Sequence, residues 1–350
     1  MPYRILIIAP AWVGDSVMAQ PLYRRLKHYR PDAHITVLAP DWTLPLLDRM
    51  PEVDATARNP FGHGALQMGA RWRLGKSLRG QFDQVIVLPN SLKSALVPWF
   101  AKIPKRTGFV GESRYGLLND ARQLDKQALP QMVERFAILA ESAGAPLPRP
   151  IEPPLLRIDP ASRQAALAAL GLSEAKPVAA FCPGAEFGPA KRWPAAHFAE
   201  LAQALIAKGY AVWLFGSAKD QPETSAIAKL AGTAAAGNLV DLAGRTSLAQ
   251  AIDLLSIAKV VVTNDSGLMH VAAALQRPVV ALYGSSSPTF TPPLTELAEI
   301  VSLQLDCSPC FKRQCPLGHF NCMQQMHSGM VEAAIDRLLA RDHHIRLQAI

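Results

Sequence analysis

The chain carries short, nearly continuous apolar runs at residues 5–9, 34–39 and 84–88, and none of them alternates between apolar and polar residues. A strand that is apolar on both faces needs cover on both faces, which is the pattern of a parallel sheet layered between helices. An amphipathic stretch from about Ser16 to Tyr29 lies between the first two runs, followed by a turn at Pro31-Asp32. Strand, helix, strand in this order predicts an α/β lobe.

Six prolines, at 146, 148, 150, 153, 154 and 160, then interrupt the pattern at a density that no helix or central strand tolerates. Beyond them it restarts. Strands are predicted at 178–182, 211–216, 239–242, 259–263 and 279–283, with helices at 194–208, 223–230, 247–258 and 267–275. This is the spacing of a doubly wound sheet, and 350 residues are too many for one ordinary core. The expected architecture is α/β with two Rossmann-like lobes, residues 1–155 and 170–328. A final helix at 329–341 has the option of crossing back onto the first lobe. Two such lobes leave a cleft at the carboxyl ends of their sheets, where open α/β folds bind ligands.

The formal charge of +8 is unevenly placed: residues 1–150 hold 20 Lys and Arg against 12 Asp and Glu, whereas residues 151–350 hold 16 of each. A basic lobe suggests an anionic partner, either nucleic acid, a membrane face or a phosphorylated substrate. No C₂H₂ zinc-finger spacing, Arg-Gly tract or aromatic-laced basic run accompanies the charge, so no nucleic acid partner is expected. The apolar start behind Arg4 has some likeness to a signal peptide, but Gly14-Asp15-Ser16 breaks it and a strand is the preferred reading. No apolar run reaches the ~20 residues of a spanning helix, so the chain is expected to be soluble or peripheral.

Three loops carry the chemistry. In Val262-Thr-Asn-Asp-Ser-Gly-Leu-Met-His270, a strand ends and Ser266-Gly267 opens a helix whose first amides suit a diphosphate. Asp265 is either part of that site or a helix cap, and His270 either touches a phosphate or lies in the core. In Phe181-Cys-Pro-Gly-Ala-Glu-Phe-Gly-Pro-Ala-Lys-Arg-Trp-Pro194, Gly184 and Gly188 allow close backbone approach, and Lys191 is the better of two cations for a leaving diphosphate. In Pro10-Ala-Trp-Val-Gly-Asp15-Ser, Asp15 is placed to take the proton of an acceptor hydroxyl, or else caps the helix beginning near Ser16.

Absences narrow the field. Neither Gly-x-Gly-x-x-Gly nor Gly-x-x-x-x-Gly-Lys-Ser/Thr occurs, which disfavours dehydrogenase and P-loop readings, and no cofactor is expected. There is no Asp-x-Asp, the metal clamp of many sugar transferases, so Lys191 and the helix dipole are expected to meet the diphosphate charge. Four of five cysteines fall in Cys307-x2-Cys310-x4-Cys315-x6-Cys322, close enough for Zn²⁺ or a cluster, although free thiols remain open and disulfides are disfavoured in a cytosolic chain.

Together the Pro10–Asp15, Phe181–Pro194 and Asn264–His270 motifs, with Pro89-Asn-Ser-Leu-Lys-Ser-Ala-Leu-Val-Pro98 and Arg114-Tyr-Gly-Leu-Leu-Asn-Asp120, resemble the heptosyltransferases of glycosyltransferase family 9, over residues 4 to about 290. The resemblance implies the glycosyltransferase B fold and an inverting, single-displacement reaction. L-glycero-D-manno-heptose would move from ADP-heptose to the first heptose of the inner core on Kdo2-lipid A. By likeness Asp15 is the base, and Lys191, Asp265, Ser266, Gly267 and His270 surround the donor. Gly216, Ser217 and the Gly244-Arg-Thr246 loop lie near the adenosine. Lys93, Arg106, Arg114 and Arg122 are candidates for the acidic acceptor, and the enzyme would work in the cytoplasm at the inner-membrane surface. The rivals are a sister transferase (I or III) with another acceptor and a non-catalytic binding protein for the nucleotide sugar or lipopolysaccharide. Residues 89–98 and 114–120 favour the acceptor that already carries one heptose.

Overall fold

The computed structural model of the protein describes residues 2–62, 64 and 66–348, and divides them into two units that meet between Leu156 and Arg157. The first unit holds strands β1 (Arg4–Ile8), β2 (His34–Ala39), β3 (Ala55–Arg58), β4 (Gln84–Val87), β5 (Lys105–Phe109) and β6 (Asp120–Arg122). They form one parallel sheet in the order β3-β2-β1-β4-β5-β6, with Ile5 level with Ile35 on one side and Gln84 on the other. Ile5, Leu6 and Ile7 are fully buried, as strands covered on both faces must be. The order reverses between β1 and β4, and the loops leaving their carboxyl ends diverge there to open a crevice.

The single helix expected at 16–29 is two, Val13–Met18 and Gln20–Tyr29. Pro21, in the first turn of the second, has no N–H to continue the hydrogen-bond ladder of the first, so the chain re-starts at Ala19.

The second unit repeats the plan with β7 (Val178–Cys182), β8 (Ala211–Leu214), β9 (Leu239–Asp241), β10 (Val260–Asn264), β11 (Val279–Leu282) and β12 (Ala298–Val301). Their parallel order is β12-β11-β10-β7-β8-β9, which puts the reversal between β10 and β7. Edge strand β12 escaped the sequence pattern because its Ala-Glu-Ile-Val is only part-buried. The last of the six prolines does not belong to a linker: Pro160 starts the helix Pro160–Leu170. Asp159 caps it, accepting from the Ala161 and Ser162 amides at 3.0 Å. The second unit therefore begins some 13 residues before the expected lobe boundary at 170.

The sequence allowed the final helix to return to the first lobe. Instead Val331, Ala334, Ile335 and Leu338 of helix Ser328–Gln348 enter the second unit's core beside Phe198, Leu201 and Leu205. Each large apolar side chain buried there contributes about 1.5–3 kcal/mol. Trp193, fully buried in the same cluster, is fixed by its indole N–H to Met326 O at 2.6 Å and its backbone N–H to Asn264 Oδ1 at 3.1 Å.

Candidate functional site

At the switch point of the first unit, the loops after β1 and β4 border a cavity of about 340 Å³. Trp12, Trp42 and Asn90 line it with Asp15, Arg71 and Lys93, and Arg135 contributes a third cation. Asp15 is the only carboxylate among its described lining residues. The N-cap position of helix Val13–Met18 is Trp12, so Asp15 is not a cap: it stands half-buried in the first turn, at the positive end of the helix.

Of the four basic residues expected to meet an anionic acceptor, only Lys93 lines this cavity. Arg106 donates to Leu117 O and Ile103 O, both at 2.7 Å. Arg122 pairs with Asp120 at 2.9 Å and bonds Ile138 O. Arg114 is 1% exposed and donates to Pro89 O at 2.7 Å, Asn90 Oδ1 at 3.3 Å and Phe109 O. All three bond the first unit's own framework. Arg114 holds the Pro89-Asn90 wall of the cavity, because a buried guanidinium must place its donors on fixed carbonyls. Arg71 and Arg135, not singled out in the sequence, also line the cavity. Arg71 bonds Leu66 O and Lys93 O and lies 4.0 Å over the Phe61 ring, while Arg135 bonds Leu129 O. No local motif marks either one; only the tertiary fold brings them to the loop of Asp15.

In the second unit, the β7 and β10 loops meet at the other switch point. Lys191 Nζ and Asp265 Oδ2 form an ion pair at 2.6 Å, with side chains only 18% and 5% exposed. The cap reading of Asp265 is thereby corrected, since Ser266 holds the N-cap position of helix Gly267–Ala274 and no side chain caps it. The first-turn amides of that helix retain no capping partner, which suits an anion. Asn264, unremarked in the sequence, ties the two loops together by donating to Pro183 O at 2.6 Å while accepting from the Trp193 amide.

Buried polar atoms without a partner also gather here. Among the described residues they include Arg192 Nε after β7, His270 Nδ1 after β10, and the Ser285 and Ser286 hydroxyls after β11. Native structures leave few such atoms unsatisfied, so a concentration at the carboxyl edge of one sheet marks a place for a polar ligand. The serines carried no sequence signal beyond standing in a Gly-Ser-Ser-Ser loop.

The expected adenosine loops lie on the next strands. A Cβ on Gly184 would stand 2.6 Å from the Asp220 carboxylate, and one on Gly216 would stand 2.8 Å from Asp220 Cβ. Asp220 in turn accepts from the Ser217 amide and hydroxyl, both at 2.8 Å. These glycines thus make room for Asp220, a residue the sequence did not single out. The Gly244 amide donates to Gly216 O at 3.0 Å, which brings the half-buried Thr246 loop alongside.

Burial pushes the His270 imidazole down to about 4, offset in part by Asp265 and reinforced by Lys191. A free imidazole titrates near 6.5, so between those pH values only the unfolded chain binds the proton, and stability falls as pH drops through the window. The loss approaches ~3 kcal/mol. Urea midpoints at pH 7 and pH 4.5 are expected to diverge less in His270→Gln than in the wild type; parallel losses would show that His270 is not the titrating group.

All five cysteines are free thiols. Burial raises the Cys322 thiol, and nearby Cys307, Cys310 and Cys315 add to the rise. Among the described residues, however, no three His, Cys, Asp or Glu side chains form a group that could hold a metal ion. The segment connects to the loops after β7 and β11. Arg313 O accepts from the Ala190 amide at 3.1 Å, the Phe311 amide donates to Ser285 O at 2.7 Å, and the Ser308 hydroxyl donates to Gly284 O. The Phe320 amide at 3.4 Å, with those of Leu317, His319 and Gly318, favours the Cys315 thiolate, whereas burial and Asp220 raise Cys182. Limited iodoacetamide is expected to alkylate Cys315 before Cys182 or Cys322, read by peptide mass spectrometry. Equal labelling of Cys182 would contradict its burial.

Two six-stranded parallel sheets, each with polar loops at its switch point, are the architecture of the glycosyltransferase B fold. The sequence model of glycosyltransferase family 9 (heptosyltransferase) matches residues 71–321, and the chain belongs to that family as a heptosyl-transferring enzyme. Lipopolysaccharide heptosyltransferase 2 of Salmonella typhimurium is 54% identical over 306 residues, 86% of this chain and 88% of its own. Lipooligosaccharide heptosyltransferase 2 of Haemophilus influenzae is 51% identical over 85% of this chain and 88% of its own. Among solved structures, the ADP-heptose lipopolysaccharide heptosyltransferase II of Escherichia coli superposes with a TM-score of 0.89 at 47% identity, covering 97% of this chain and 99% of that one.

Proposed function

We propose that this enzyme transfers L-glycero-D-manno-heptose from ADP-heptose to the first heptose of the inner core on Kdo2-lipid A, with inversion. The observation that carries the reading is the first-unit cavity, where one carboxylate, Asp15, faces Lys93, Arg71 and Arg135. A carboxylate placed beside an acceptor hydroxyl is the kind of group that takes its proton. The cations suit an acceptor that bears acidic sugars and phosphates. Similarity to heptosyltransferase 2 proteins along most of the chain supports the choice of sugar and acceptor.

In this mechanism Asp15 takes the proton from the acceptor hydroxyl as its oxygen attacks the anomeric carbon from the face opposite ADP. The bond to the diphosphate breaks in the same step, and negative charge grows on the leaving oxygens. Lys191 and the amides of Gly267 and its neighbours stabilise that charge, with the Ser285 and Ser286 hydroxyls and the Arg192 Nε–H as further donors. Asp265 holds the Lys191 ammonium in position before the donor arrives. His270, neutral at pH 7 because of its burial, offers the diphosphate a hydrogen bond without a second full charge. Gly216, Ser217 and Thr246 border the adenosine. The acceptor's lipid places the reaction at the cytoplasmic face of the inner membrane, and no helix of the described residues is long and apolar enough to cross a membrane.

The test is to incubate the purified protein with ADP-heptose and monoheptosyl-Kdo2-lipid A and weigh the lipid. A gain of one heptose is the expected result. If Kdo2-lipid A without heptose is extended instead, the acceptor assignment passes to a sister enzyme; if neither gains mass, the transfer reading fails.

A further inference from the structure

The charge asymmetry is far more local than a division into halves reveals. Residues 55–111 hold nine Lys and Arg against one acidic residue, Asp83, so this segment alone accounts for the chain's net +8. The rest of the chain is balanced. The segment includes two helices of the first unit, Met68–Ser77 and Leu92–Phe100, packed closely because Gly75 lacks a side chain: a Cβ there would stand 2.5 Å from Phe100 Cβ and 2.7 Å from Val97 O.

Helix Met68–Ser77 buries Arg71 and Gly75 and leaves Met68, Trp72, Arg73 and Lys76 exposed. Trp72 and, on the neighbouring helix, Trp99 are each 44% exposed. The Lys76 ammonium lies 5.2 Å from the Trp72 ring centroid, so the aromatic and the charge form one surface feature. Large indoles left in water beside cations, with no carboxylate on the same helix, are unusual for a purely solvated face. They are the composition of a face that lies in a headgroup layer, where indoles sit at the boundary and Lys and Arg meet anionic lipid. The same helix supplies Arg71 to the cavity of Asp15, and the next supplies Lys93.

We propose that the exposed face of helix Met68–Ser77, with Trp99, docks on an anionic phospholipid surface and presents the mouth of the Asp15 cavity to a lipid-anchored acceptor. This inference rests on the lipid-linked acceptor proposed above, but it concerns a surface outside the cavity. Indoles enter the interface, and each cation contributes by neutralising lipid charge, so binding falls as salt rises.

The experiment is sedimentation of the full-length protein with vesicles of phosphatidylethanolamine and phosphatidylglycerol, or of phosphatidylcholine alone, at low and high salt. Wild type is expected to partition onto the anionic vesicles and release at high salt. Arg73→Gln/Lys76→Gln is expected to bind about tenfold or more weakly, and Trp72→Ala is expected to bind more weakly than wild type at low salt. Lys176→Gln/Lys229→Gln, on the second unit, should match wild type. Turnover of a water-soluble, deacylated acceptor should be the same in all of these variants, which separates loss of docking from loss of fold or of the catalytic reading. Equal binding to neutral vesicles, no binding by wild type, or tighter binding to an RNA fragment than to anionic vesicles would each overturn the proposal.

Discussion

Asp15→Asn is expected to lower kcat by about 10²–10⁴-fold, the usual contribution of a positioned general base, while ADP still binds as tightly as to wild type. The substitution keeps the shape of the first turn of helix Val13–Met18 and removes the carboxylate's charge together with its ability to take a proton. No helix cap is lost, since the N-cap position belongs to Trp12. The measurement is steady-state turnover alongside calorimetric ADP titration. A wild-type rate in Asp15→Asn would transfer the base role elsewhere, and no other described carboxylate lines that cavity.

Lys191→Ala is expected to reduce kcat/KM for the donor by about 10²–10³-fold, as when a charge-stabilising donor is removed from a transition state. Unlike Asp15→Asn it should also weaken ADP binding, and it should destabilise the protein. The reason is the 2.6 Å pair with Asp265, whose carboxylate, only 5% exposed, would be left buried and unpaired. Removing one member of a buried pair costs about 3–5 kcal/mol, and the partial exposure of Lys191 points to the lower end, a fall in Tm of roughly 6–12 °C. Lys191→Ala/Asp265→Ala, with neither charge present, is expected to recover much of the stability and none of the turnover. A double variant as unstable as the single one would mean that packing, not charge, couples the two residues.

The readability of the site differs between its halves. Asp15, Lys191, Asp265 and His270 each follow a strand within one loop or one helical turn, so local pattern was enough to single them out as candidates. The cations that line the Asp15 cavity were not legible in this way. Arg106, Arg114 and Arg122 look like Arg71 and Arg135 in sequence, but the first three bond framework carbonyls or carboxylates without lining the cavity themselves, and the other two line it. A guanidinium reaches several ångströms in any direction, so its role depends on which carbonyls the fold sets around it. Asp220 and Asn264 were missed for a related reason, because each acts by joining loops that are distant along the chain.

By itself the sequence determined the two α/β units, the strands at their centres and the loops that leave them, because continuous apolar strands admit few arrangements other than a covered parallel sheet. Only the tertiary structure decided where helix Ser328–Gln348 packs, that Pro160 opens a helix, and which basic residues surround Asp15. Strand and turn preferences act over a few residues, whereas the destination of an amphipathic helix or a long cationic side chain depends on surfaces assembled from remote parts of the chain.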